Sequence, residues 1–500
     1  MRAAWDQTSA LPGLRERAKA IFFSCCADWD SYWVILGLLT VGMRETASSM
    51  IANLLDAARA HGFVPNGLRT YYLNRSQPPM LTQMVSAVVD ATASNASVRR
   101  LLDEALPVLD AEYAWWMRTG PEASVVQLPP SAPGAPTATL NRYVVHATAP
   151  RPESWREDEA TAASVVPSDR ARVFSDLAAA AESGWDFSTR WLKAQPTSPA
   201  TSPATSPAAD ATTGDIGGGG GESARGGDVH HPPLSSIRTA SLAPVDLNAI
   251  LYRNERTLHV LHARMAALTE AATAPADVDA TVNTASGAEL AAQQAAGGSV
   301  ARGHAAAAAR YAQAASARRH AMDAHMWDAH RGRWHDVEWE SGARLEQESA
   351  ASYLPLWAGA HDAGQADAAT HALAESRLVQ AGGVATTLID SGQQWDWPNA
   401  WPPLQQMIIE GLAACGAPHA EALSRRLAAT WLRANLRGWR VSGHMHEKYD
   451  VTRPGERGGG GEYQPQVGFG WTNGVVLWLL ARHADDELWL AALDVEATSR

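Results

Sequence analysis

The stretch Glu447–Gly474, EKYDVTRPGERGGGGEYQPQVGFGWTNG, sets four consecutive glycines (Gly458–Gly461) among the carboxylates Glu447, Asp450, Glu456 and Glu462. The aromatic residues Tyr449, Tyr463, Phe469 and Trp471 stand beside them. Glycine raises the entropic cost of any helix or strand, so such a run belongs in a loop. Low-complexity linkers share the glycine but seldom carry this many acids and rings. Carboxylates held beside flat apolar faces suit a carbohydrate, whose C–H face stacks on a ring while its hydroxyls bond to acids. The loop reads as a candidate site rather than a tether.

Five more polar segments stand where helical patterns stop. DWDSYWVILG (Asp28–Gly37) opens a helix with Trp29 and Asp30; Asp30 or Ser31 could equally be an N-cap, with Trp33 in the core. VPNGLRTYYLNRSQPP (Val64–Pro79) gathers Asn66, Arg69, Asn74, Arg75 and Gln77, planar multi-donor groups of the kind that grip several hydroxyls at once. In APRPESWRED (Ala149–Asp158) a proline between Arg151 and Glu153 fixes the backbone and aims both side chains. In ESGWDFSTRW (Glu182–Trp191), Asp186 follows Trp185, an apolar wall that would hold a carboxyl protonated as an acid. SGQQWDWPNAWPP (Ser391–Pro403) carries Trp395, Asp396, Trp397 and Trp401. Any one of these alone reads as well as a solvated structural loop.

The elements between these loops read as helices. Apolar residues recur at three- and four-residue spacing over Ser31–Ala60, Leu81–Leu109, Arg170–Ser183, Asp246–Ala271, Ser299–His325, Ala350–Ala381, Pro402–Cys415, Pro418–Leu436 and Trp471–Ala484. Alanine enrichment favours helix, and alternating strand patterns are scarce. Long polar connectors between helices are unusual in a simple bundle. They suit a toroid of helix pairs whose loops build a cleft at one end. Gln127–Ala138 is Pro-rich, and Gln195–Ala209 with Gly217–Gly227 forms a second low-complexity excursion ending near Pro233.

Composition removes several function classes. A net charge of −12 argues against a dedicated nucleic-acid or anionic-membrane surface. Three cysteines, Cys25, Cys26 and Cys415, allow no disulfide framework or zinc spacing. His444 and His446 beside Glu447 read as a tuned or solvent-facing pair rather than metal ligands, so neither a cofactor nor a metal is expected. No apolar run reaches the length of a membrane span, and the N-terminus has no clean apolar centre of a signal peptide. Twenty tryptophans against six phenylalanines leave packing and sugar stacking both open for Trp395, Trp397 and Trp471.

Taken in order, the strings WDSYWVILGLL, PNGLRTYYLNRSQPP, RPESWRED, SGWDFSTRW, SIRTASLAPVDLNAILY, SGQQWDWPNAWPP and EKYD…GGGGEY…GFGWTNG resemble the trehalase family of glycoside hydrolases, from Trp29 to about Asp485. The resemblance implies an all-α fold, an (α/α)6 barrel, and inverting hydrolysis of α,α-trehalose to two glucoses. By matched position it implies Asp186 as general acid and Glu447 as general base. Trp29, Asp30, Asn66, Arg75, Ser76, Gln77, Arg151, Pro152, Glu153, Gly184 and Glu462 match its substrate contacts. The roles suit the residues: an inverting enzyme needs one protonated carboxyl and one ionised carboxyl holding water, roughly 6.5–9.5 Å apart. Glu447, beside a flexible glycine loop, is expected to be open to water.

The resemblance weakens before Trp29. The family's first signature carries a glycine pair, an arginine and a glutamate there, and the arginine's position falls on Phe22. The expected organisation is an atypical segment 1–28, a catalytic domain 29–485 with low-complexity insertions at about 121–138 and 195–233, and a tail 486–500. A barrel without its opening helices is expected, with an apolar seam. Ala400 and Pro402 stand where the family favours glycine and alanine. Two other readings stay open: a sugar-binding relative without turnover, on the missing arginine, and a toroid with a different substrate, as in related glucosidases or disaccharide phosphorylases.

Overall fold

A computed structural model describes residues 28–120, 123–134, 137–193, 232–273 and 287–486. The apolar run over Ser31–Ala60 becomes two helices, α1 (Asp28–Thr40) and α2 (Arg44–His61), because Gly42 turns the chain at φ 79° between them. Only a residue without Cβ takes that conformation at little cost. The run over Leu81–Leu109 divides likewise into α3 (Leu81–Asp90) and α4 (Asn95–Trp116). The Ser94 hydroxyl accepts from the Ser97 N–H to cap α4.

The chain continues through α5 (Trp155–Ala162), α6 (Arg170–Glu182), α7 (Val245–Thr273), α8 (Gly287–His325), α9 (Leu354–Ala358), α10 (Ala363–Glu375), α11 (Pro402–Ala414), α12 (Ala420–Ser442) and α13 (Gly470–Arg482). The helix expected over Ala350–Ala381 is broken at Gly359 and ends in a short ribbon, Val379–Gln380 against Gly383–Val384.

Packing sorts these helices into two layers. Helices α1, α3, α7, α9, α11 and α13 each contact the next, and α13 returns to α1, so six helices close an inner ring. Five others stand outside it among the described residues. α2 packs on α1 and α3, α4 on α3 and α7, α8 along α7, and α12 on α11 and α13, with α10 against α12. Inner and outer helices alternate along the chain, as an (α/α)6 barrel requires. Trp33, Ile35, Met84, Val85, Leu258, Leu354, Met407 and Val475 are buried in the core that the inner ring contributes.

Closure of the ring rests on two glycines. α1 and α13 cross so tightly that a Cβ on Gly474 would lie 2.0 Å from the Trp33 carbonyl oxygen, and one on Gly37 would lie 2.6 Å from the Gly474 Cα.

The Pro-rich stretch Gln127–Ala138 lies mostly within a hairpin. Val125–Leu128 pairs antiparallel with Ala138–Asn141, and Leu128 and Leu140 are buried in the core. The insertion expected at 195–233 falls almost wholly outside the described residues, as do Phe22, the segment before Asp28 and the tail beyond Asp486. Among the described residues no helix is long and apolar enough to cross a membrane.

Five connectors converge on one cavity. They follow α2, α4, α6, α10 and α12.

Candidate active site

At the end of α6 the chain turns through Gly184, whose φ of 74° requires glycine, and delivers Trp185 to the core and Asp186 to the cavity wall. Burial pushes the Asp186 carboxyl up to about 6. Arg151 and Arg75 pull it back, while Glu462 adds to the rise. Trp29, at the start of α1, packs its ring beside Gly184 and donates its main-chain N–H to Gln77 Oε1 at 3.2 Å, tying α1 to the α2–α3 connector. Next to it, Asp30 is pushed up to about 8, by burial and then by the neighbouring Glu447 and Asp186. Three carboxyls thus share one neighbourhood, where the presence of two opposes ionisation of the third.

Glu447 follows α12 and is 3 % exposed. The Tyr463 hydroxyl donates to its Oε1 at 2.8 Å and the Gln466 N–H to its Oε2 at 2.9 Å. Burial raises its pKa, and these two bonds with the Lys448 charge draw it down. The expectation that Glu447 lies open to water is not met. The segment after the glycines folds back through a bridge between His446 and Val467, which brings Tyr463 onto the carboxylate.

Three of the four glycines, Gly458, Gly460 and Gly461, approach protein rather than open space. A Cβ on Gly458 would lie 2.4 Å from Asn399 Oδ1, and one on Gly460 2.5 Å from the Gly392 carbonyl. They let the α12–α13 connector lie against the segment Gly392–Asn399.

Beside Asp186 lies a cavity of about 340 Å³, a size ordinary for small-molecule sites. Of the residues singled out from the sequence, Asn66, Arg75, Gln77, Arg151, Glu153, Asp186 and Glu462 line it. Arg75 is buried and paired with Glu153. Arg151 is paired with Asp158 and stands 3.4 Å from Glu462, which also accepts from Ser154 Oγ at 3.0 Å.

Trp29, Asp30, Ser76, Pro152, Gly184 and Glu447 do not line it. Ser76 is buried, bonding the Val64 carbonyl through its hydroxyl and Glu182 through its N–H. Pro152 is exposed and opens a 3-10 turn that presents Glu153.

The tryptophans left open between packing and stacking settle as packing. Trp185, Trp395 and Trp401 stack in one column, with centroids 5.2 and 4.0 Å apart, and Trp471 meets Trp401 edge-on. Trp395 and Trp471 are buried, and Trp397 packs partly buried against the core. Asp396 accepts from Ser188, Thr189, Thr387 and Ser391, clamping the segment after Asp186 to the α10–α11 connector.

Sequence reasoning passed over Glu182, Asp158, Gln394, Lys448 and Tyr72. Glu182 carries the Ser76 and Val144 N–H groups at 3.0 and 3.1 Å, and burial pushes it up to about 7. Each of the five lies inside a string already recognised, but only its partner elsewhere in the chain reveals what it does.

Among the described residues no group of three or more His, Cys, Asp or Glu is arranged to hold a metal. His446 is buried with its pKa lowered by burial, and His444 is exposed.

The sequence model of the trehalase family matches residues 22–211 and 224–484, starting upstream of Trp29. Trehalase from Homo sapiens is 36% identical over 459 residues, covering 91% of this chain and 65% of that protein. The periplasmic trehalase of Xanthomonas campestris pv. campestris is 34% identical over 459 residues, covering 90% of this chain and 65% of that protein. The chain therefore spans about 65% of the length of these curated relatives. Among solved structures, neutral trehalase from Saccharomyces cerevisiae aligns with a TM-score of 0.61 at 23% identity, covering 94% of this chain and 73% of that one.

Proposed function

The chain belongs to the trehalase family of glycoside hydrolases, and from that premise we propose that it hydrolyses α,α-trehalose to two glucoses with inversion, Asp186 acting as general acid and Glu447 as general base. The observation that carries the assignment is the raised Asp186 carboxyl at the wall of a cavity that also presents donors to hydroxyls from Asn66, Arg75, Gln77 and Arg151 and acceptors from Glu153 and Glu462. A carboxyl pushed up to about 6 keeps its proton in mildly acidic solution and can deliver it to the glycosidic oxygen.

In the proposed step the C1–O bond breaks as Asp186 gives its proton to the departing glucose. A water attacks C1 from the opposite face and passes a proton to Glu447. One water is consumed, and the carboxyls exchange protonation states until solvent resets them. Two hydrogen bonds and the Lys448 charge favour the ionised Glu447, as a base requires. Asp30, held up to about 8, would stay neutral and donate to a substrate hydroxyl. Trp29, Asn66, Arg75, Ser76, Gln77, Arg151, Pro152, Glu153, Gly184 and Glu462 complete the proposed binding set. Ser76, Pro152 and Gly184 contribute by shaping the backbone.

The full chain incubated with trehalose should give two glucoses per turnover, one appearing first as the β anomer by proton NMR, without need of phosphate. Folded protein that yields no glucose overturns the proposal.

A further inference from the structure

The basic residues of the chain are almost all arginine. Its three lysines, Lys19, Lys193 and Lys448, stand among 41 basic residues, and one of the three sits beside Glu447, 0 % exposed. Its Nζ donates to Gln394 Oε1 at 3.1 Å and to the Gly460 carbonyl at 3.3 Å. It also lies 4.9 Å from the centre of the Trp401 ring and 5.8 Å from that of Tyr463.

Gln394 donates in turn, through Nε2, to the main-chain carbonyl of Asp186. The residue next to Glu447 is therefore joined through a single amide to the peptide of Asp186. An ammonium is a compact point charge whose three donors fit two acceptors and a ring, whereas the planar five-donor fork of arginine does not.

We propose that Lys448 is a positioning residue for the reaction: fixed by Gln394 and Gly460, its ammonium holds the Glu447 and Asp186 segments in register and sets a positive charge beside Glu447. The inference rests on the hydrolase reading above and adds to it a residue outside the two reacting carboxyls.

The charged and titratable groups around it come from three elements. Glu447 and Tyr463 lie with it on the α12–α13 connector, Asp186 follows α6, and Asp30 stands on α1 facing Glu447. Burial brings the lysine down to about 8, with Glu447 and Asp186 opposing the fall. In return the lysine draws Glu447 down. A strut that merely supported the glycine loop would affect stability and leave the titration of Glu447 where it was.

The test is a carbon-13 titration on the full chain. Glutamate labelled at Cδ reports Glu447, identified as the signal lost in Glu447→Gln. In Lys448→Met that titration should rise by about one pH unit, the size expected when a neighbouring charge is removed. The acid limb of kcat/KM should move with it, and kcat should fall about tenfold with less than threefold change in KM. Lys448→Arg, which keeps the charge, should leave the titration nearly in place.

Lysine labelled at Cε gives a second readout in the unaltered chain, where only three signals are expected. Lys448 should titrate near 8 and fall further in Glu447→Gln. An unmoved Glu447 in Lys448→Met, or an ordinary lysine titration of Lys448, overturns the inference. The two readings separate cleanly: a chain that makes no glucose but shows both titrations loses the hydrolase proposal and keeps the charge-setting role of Lys448.

Discussion

Asp158 holds Arg151 with both carboxylate oxygens: Nη2 lies 2.7 Å from Oδ1, Nε 3.0 Å from Oδ2, and the Arg151 main-chain N–H 2.8 Å from Oδ2. Both side chains are buried. The guanidinium, gripped on one side and lying over the Phe187 ring, has its remaining donors near Glu462 and the cavity. Asp158→Ala leaves a buried cation without its partner, which costs about 3–5 kcal/mol. Urea unfolding should show that loss, and KM should rise because Arg151 is no longer aimed. Asp158→Asn, which keeps the shape and one acceptor, should lose less. Wild-type stability in Asp158→Ala would show that the pair contributes nothing net.

Asp186 links stability to pH. Its folded value is about 6 against 3.8 for the free side chain. A carboxyl that binds its proton more tightly when folded lowers stability once it must ionise. That cost is absent below 3.8, grows as pH rises and is complete above 6, reaching about 3 kcal/mol. Asp186→Asn escapes it, so its Tm relative to wild type should climb between pH 4 and pH 7. Its hydrolysis should fall by about a hundred- to ten-thousand-fold, the usual worth of a general acid. A Tm difference flat across that range would contradict the buried-acid environment.

The barrel was legible because each helix carries its own apolar periodicity, and the alternation of inner and outer helices follows chain order. Boundaries were less so where one residue decides them, as at Gly42, Gly359 and the Ser94 cap. The carboxyls and the arginine-rich connector were legible because contiguous strings contain them. What those strings could not show is which groups meet across the chain: Gln394 with Asp186, Glu182 with Ser76, and Tyr463 with Glu447. Such pairs depend on how the connectors pack, not on local spacing. The tryptophan column is the same lesson, since an indole in a polar loop can face sugar or another indole with equal local logic.

Two neighbouring glycines should respond differently to one methyl group. Gly460 has φ 75°, and a Cβ there would lie 2.5 Å from the Gly392 carbonyl, whereas a Cβ on Gly459 meets nothing within 4 Å. Gly460→Ala should push the connector off the Gly392–Gln394 segment and loosen both the Lys448 bond to the Gly460 carbonyl and the Tyr463 cover on Glu447. A fall of about tenfold or more in kcat/KM is expected, since small displacements of catalytic groups carry penalties of that order. Gly459→Ala should keep near wild-type activity. Equal effects from the two would mean that the loop does not rest where the structure puts it.

The closing helix pair gives the sharpest contrast in stability. A Cβ on Gly474 would stand 2.0 Å from the Trp33 carbonyl oxygen, a main-chain atom inside α1 that cannot swing aside. Gly474→Ala must therefore separate α13 from α1, and the ring opens at the contact that closes it. Overpacking usually costs about 1–3 kcal/mol, and a backbone obstacle places this case at or above the top of that range. Gly303, within α8, is the control: a Cβ there meets nothing within 4 Å, and its φ lies outside the left-handed region. Alanine at that position should stabilise by about 0.4–1 kcal/mol through helix propensity and a less flexible unfolded chain. The same glycine-to-alanine change should thus carry opposite signs at two helical sites, read as shifts of the denaturant midpoint in opposite directions. If Gly474→Ala unfolds at the wild-type midpoint, α1 and α13 do not close the inner ring.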